Sequence, residues 1–196
     1  PRGLAEVPSI TETFRHLFSP TTIDAVTAAT PLDLLRQNTG LLFDDLLTSS
    51  AELTGWGGIG WFEVNVAFLL GGAWLLYRRV FTWHAPVAMI VALALCALMG
   101  YDGGSSQSGG SALFHLFSGA TMFAAFFIIT DPVSSAVSNK GRLIFGALIG
   151  ILIYLIRTLG NYPDAVAFAV LILNFCAPFI DHYTQPKVYG TGSPES

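Results

Sequence analysis

The chain is 196 residues long, and 53% of it is hydrophobic against only 11% charged. A soluble domain carries about a quarter charged residues, so a composition this poor in charge excludes a wholly water-exposed fold. The formal net charge of −4 supplies no basic footprint for nucleic acid.

The first residue is Pro1, and the residues after it lack a signal-peptide pattern, so the chain is expected to be a piece of a longer protein. Residues 1–57 are rich in Thr, Pro, Asp and Ser and are expected to form an external soluble segment lying against a membrane surface. Two short helices are expected there. One runs from about Ile10 to Phe18, and the other starts after Pro31, with Leu34, Leu35, Leu41, Leu42, Leu46 and Leu47 as scattered apolar contacts.

Five apolar runs follow, at about 61–80, 84–100, 112–130, 143–159 and 165–180. About 20 apolar residues cross a bilayer core, so several of these runs are short and are expected to tilt or to re-enter. The fold class is therefore all-α integral membrane, with a five-helix domain over 58–183 and a cytoplasmic tail over 184–196. "YDGGSSQSGG" links the second and third runs, "DPVSSAVSNKGR" the third and fourth, and "GNYPD" makes a tight turn before the fifth.

Lys and Arg near the run ends set the orientation. Arg78, Arg79, Lys140, Arg142 and Lys187 fall on one side. Arg157 alone falls toward the other, one turn inside its run, where it is expected to snorkel. The first side is then cytoplasmic, and residues 1–57, 101–111 and 160–164 face outward.

The third run is unusual in carrying Ser118-Gly119-Ala120-Thr121 inside an apolar stretch. Helical spacing places His115, Ser118 and Thr121 on one broad face. The glycine-rich loop upstream can expose backbone N–H groups that favour phosphate oxygens. Small and hydroxylated residues also mark sites of close packing between membrane helices, and both readings stand on spacing alone. Gly146 and Gly150 in "FGALIG" form a small-xxx-small pair of the packing kind. Cys96 and Cys176 lie in apolar runs and are expected to be inert packing residues, and no metal-ligand spacing occurs.

The stretch from "LFSGATMFAAFFIITDPVSSAVSNKGR" to "DHYTQPKVYG" closely resembles the C-terminal part of the D-subunit family of the Rnf ion-translocating electron transport complex. The resemblance is strong over 116–190 and looser from 61, and "TTIDAVTAATPLDLLR" is similar to the external segment that precedes the family's spans. The B subunit of the sodium-translocating NADH:quinone reductase shares "SGAT" and "TDPVS" but differs in its tail. The equivalent protein of the complex that reduces the SoxR regulator is barely separable.

The resemblance implies a flavoprotein of the bacterial inner membrane, the second half of a larger ten-helix protein. FMN would be attached to Thr121 through a phosphoester by a flavin transferase using FAD. Ser118, Gly119 and Ala120 would complete the motif, the two small residues leaving room for the flavin. His115 would line the site, against the alternative of a surface-facing imidazole. The chain would then be an electron-carrying subunit rather than a stand-alone enzyme, coupled to Na⁺ or H⁺ movement. Its partners would be other membrane, flavin and iron–sulfur subunits, and lipid. A transport or channel subunit without cofactor, and a pure scaffold, remain as alternatives.

Among the other polar residues, Asp131 is expected to cap the turn after it, with ion passage as the alternative. Asn174 is expected to bond to a neighbouring helix, Asp164 to cap the fifth helix, and Glu63 and Asn65 to mark an interface.

Overall fold

The computed structural model describes residues 11, 30–37, 45, 56–58, 60–101, 110–160, 162 and 165–184. The first expected helix, the loop after Tyr101, Asp164 and the tail beyond Thr184 lie outside them.

The described elements are helical. Helix α1, Pro31–Gln37, starts where Thr30 Oγ1 accepts the Asp33 N–H at 3.2 Å, with Pro31 in the first helical position. Helices α2, Trp61–Tyr77, and α3, His84–Met99, are apolar on nearly every side. Exposed Leu70, Trp74, Val87, Val91 and Leu95 follow from that pattern. Helix α4 covers Ala112–Phe117 and is capped by Ser111, whose hydroxyl accepts the Phe114 N–H at 3.2 Å.

The third apolar run is not one continuous helix, contrary to expectation. It breaks after Phe117, with Ser118 extended and Gly119 at φ +60°, and restarts as α5, Thr121–Phe123. A π-helical turn over Ala124–Ile128 follows, closed by the Ile129 N–H on the Ala124 carbonyl at 3.0 Å.

Helix α6, Asn139–Thr158, begins earlier than hydropathy suggests because Ser138 caps it, accepting the Gly141 N–H at 2.9 Å. Helix α7 runs Ala165–Thr184 and contains Pro178. Both have 20 residues and are long and apolar enough to cross a membrane.

The centre of the bundle is α3 against α6 against α7. Met89 and Leu93 of α3, Phe145, Ile149 and Ile153 of α6, and Ala169, Leu173 and Ala177 of α7 recur every four residues and are buried. Gly146 and Gly150 let α6 approach the α3 backbone, at the carbonyls of Ala85 and Met89. The small-xxx-small pair therefore acts as expected. Cys96 and Cys176 are free and half-buried.

Arg142 ties the opposite end together, its Nη1 donating to Thr82 Oγ1 at 2.9 Å and its Nε to the Ala136 carbonyl at 3.1 Å. Asp131 caps its turn as expected, accepting the Ser134 N–H at 3.0 Å and hydroxyl at 2.8 Å. These two bonds hold its exposed carboxyl below the ordinary 3.8.

Candidate functional site at the helix break

The break gathers the residues that the sequence singled out, through a loop rather than through a helical face. Gly119 adopts a left-handed conformation that an L side chain rarely takes. That reversal turns Ser118 and Thr121 inward, and both are fully buried. Thr121 Oγ1 shares its one proton between the carbonyls of His115 at 3.0 Å and Ser118 at 3.1 Å. Ser118 Oγ is buried without a hydrogen-bond partner among the described residues. His115 is also buried, its ring edge-on to Tyr154 with centroids 5.6 Å apart. The surface-facing alternative for this imidazole is thus excluded.

Two residues outside the motif build the site. Asn65, expected at an interface, is instead 1% exposed and clamps the loop from α2. Its two amide hydrogens are shared over the carbonyls of Trp61, Phe117 and Gly119 at 2.9, 3.0 and 2.9 Å. Its Oδ1 accepts the Met122 N–H at 3.1 Å. Its neighbour Glu63 is exposed.

Arg157 does not snorkel. From the last turn of α6 its Nη1 donates to the His115 carbonyl at 2.7 Å, and its Nη2 to Thr121 Oγ1 at 2.9 Å and the Ser118 carbonyl at 3.4 Å. A half-buried guanidinium does better on fixed oxygens than stretched toward a distant headgroup, because its planar fork matches several acceptors at once.

The space over Gly119 is not open, as the small residues of the motif suggested. A Cβ there would lie 2.9 Å from Leu32 Cδ1 and 3.3 Å from Arg157 Nη2. Leu32 of α1 and Arg157 thus close over Gly119. The donor set suits a phosphoester, since an acceptor hydroxyl and a guanidinium stand side by side. Thr121 has no exposed surface, so reaching its hydroxyl requires the loop to open.

An open cleft of about 700 Å³ lies at the far end of the bundle, lined by Arg79, Phe81, Thr82, Thr130, Ser135 and Arg142. None of the residues at the break lines it. Asn174 turns toward a second cleft near Asp181, its Oδ1 buried without a hydrogen-bond partner among the described residues, so the expected bond to a neighbouring helix is not made.

Comparison with known proteins places the chain. The family described as NQR2, RnfD, RnfE matches residues 5–190. A Cellvibrio japonicus protein, named as the D subunit of an ion-translocating oxidoreductase complex, is 56% identical over 192 residues, which are 96% of this chain and 54% of that protein. The protein of the same name from Ectopseudomonas mendocina is 49% identical over 197 residues, 100% of this chain and 56% of its own length. A third, from Shewanella amazonensis, is 54% identical over 170 residues, 86% of this chain and 49% of its own. The chain thus spans about half the length of the curated relatives it matches. With nearly the whole chain matched, it belongs to the NQR2, RnfD, RnfE family.

Proposed function

We propose that the chain is part of a D-type subunit of an ion-translocating oxidoreductase complex, carrying FMN on Thr121 and coupled to Na⁺ or H⁺ movement. The relatives' shared name supports the complex. One observation carries the cofactor assignment: the Thr121 hydroxyl stands 2.9 Å from the Arg157 guanidinium, in a loop shaped by a left-handed glycine. A phosphodiester on that hydroxyl would gain charge-assisted hydrogen bonds from a guanidinium at this distance.

The assignment extends to the membrane. Helices α2, α3, α6 and α7 span, together with the broken segment α4–α5, and residues 1–57 lie outside. Arg78, Arg79, Lys140 and Arg142 sit at the ends of α2 and α6 away from the loop. Positive residues favour the cytoplasmic side, so the Thr121 end faces the periplasm of a bacterial inner membrane. A transferase working outside the cytoplasm meets it there. Attachment forms the bond between Thr121 Oγ1 and the FMN phosphorus and breaks the pyrophosphate of FAD, and it releases AMP while the Oγ1 proton passes to solvent.

Bound FMN supplies one- and two-electron transfer. The residues of the chain hold and position it. Asn65 and Gly119 fix the loop, Arg157 would stand beside the phosphate, and His115 and Tyr154 back the loop from inside. Other membrane, flavin and iron–sulfur subunits serve as donor and acceptor.

Purified from cells with an active transferase, the full-length protein is expected to gain the mass of esterified FMN and to fluoresce after denaturing electrophoresis. Thr121→Val abolishes both while the protein still inserts. An unmodified peptide spanning 118–131 from such cells overturns the reading. One observation favours a second reading, a scaffold subunit without cofactor: Thr121 has no exposed surface, and its hydrogen bonds are all made internally.

A further inference from the structure

The loop has more support than its shape requires. Asn65 already holds the carbonyls on both sides of Ser118 and the Met122 amide of α5, and Gly119 makes the reversal. Arg157 arrives from another helix and adds bonds to His115, Ser118 and Thr121. All three oxygens it meets in this loop are neutral, so none of them balances the charge of the guanidinium.

Esterification changes that. Thr121 Oγ1 has one proton, and the new bond to phosphorus removes it. The carbonyls of His115 and Ser118 then lose the donor that reaches them at 3.0 and 3.1 Å. Arg157 already donates to the same two carbonyls, at 2.7 and 3.4 Å. A buried acceptor stripped of its donor is costly, and these acceptors stay paired because of Arg157. The phosphodiester oxygens would bring a negative charge beside the Nη2 group that stands at the hydroxyl, and guanidinium–phosphate pairs are among the strong hydrogen bonds.

We propose that Arg157 is the positioning residue for the phosphate on Thr121. Before attachment it closes the loop; after attachment it keeps the orphaned carbonyls paired and neutralises the phosphodiester. This rests on the Thr121–FMN reading. Lysine carries the charge but not the fork, so Arg157→Lys separates the two duties, and Arg157→Gln removes the charge.

The test uses the assembled complex, purified transferase and FAD, with loading followed by intact mass and the loaded phosphodiester by phosphorus-31 resonance. Losing a charge-assisted bond is expected to slow loading of Arg157→Gln about tenfold or more. The phosphorus resonance should move in Arg157→Gln. In Arg157→Lys, loading should proceed while the resonance still departs from the unaltered protein, because a point charge replaces the fork. Should Arg157→Gln fail to assemble, the lysine variant decides alone. Resonances that coincide with the unaltered protein in the variants that load overturn the proposal. An unaltered protein that never acquires flavin mass instead overturns the Thr121 reading beneath it, so the two failures are told apart.

Discussion

Asn65→Ala tests whether the loop is held from α2. The side chain is 1% exposed and serves three backbone groups across the break, the carbonyls of Phe117 and Gly119 and the N–H of Met122. Alanine removes every one of these partners, while the Trp61 carbonyl keeps its place in the α2 ladder. Each buried backbone group left unpaired costs about 1–3 kcal/mol. Water entering the vacated space restores part of that, so a net loss of about 3–5 kcal/mol is expected. With about 1.4 kcal/mol per factor of ten, the Met122 amide should exchange roughly a hundredfold to a few thousandfold faster wherever local opening governs exchange. Hydrogen exchange read by mass spectrometry on the full-length complex, over peptides covering 118–124, measures this directly. Exchange within about threefold of the unaltered protein would refute the claim that Asn65 holds the break.

Gly119→Ala should lower the thermal midpoint, since a left-handed L-residue costs about 1–2 kcal/mol and its Cβ would press on Leu32 Cδ1 at 2.9 Å. Adding Leu32→Ala should recover the contact but not the backbone cost, and full recovery would show that the conformation of Gly119 is unstrained. Gly150→Val places a branched side chain against the Met89 carbonyl, which is backbone and cannot yield. The yield of monodisperse protein after detergent extraction should fall, and an unchanged yield would contradict the close approach of α3 and α6. Asp131 has its carboxyl lowered by the hydroxyl and N–H of Ser134, so its contribution is full above the ordinary 3.8 and is lost as pH falls through the lower folded value. Protection of the Ser134 amide should therefore weaken on acidification below about pH 4, and Asp131→Asn should remove that pH dependence.

The apolar elements were legible because length and composition alone decide them. The four long helices begin and end within a few residues of their hydropathy runs, and the capping serines at 111 and 138 account for two starts. Gly146 and Gly150 were legible because a four-residue period is local. The break at Ser118 was not, since one glycine in an apolar run fits a helix as well as a reversal, and only the positive φ separates them. Asn65 and Arg157 were missed for a different reason. They meet the motif from 54 and 36 residues away, and spacing along one chain cannot report such contacts. An Asn inside an apolar run must find partners, and the backbone groups exposed by a helix break are suitable ones.

Helices α2 and α3 have 17 and 16 residues, whereas α6 and α7 have 20 each. At 1.5 Å per residue these are about 25 Å and about 30 Å of apolar height. A bilayer whose core matches α6 and α7 would be about 5 Å thicker than the apolar height of α2 and α3. Wherever those two shorter helices meet lipid, the acyl chains beside them would have to compress or splay.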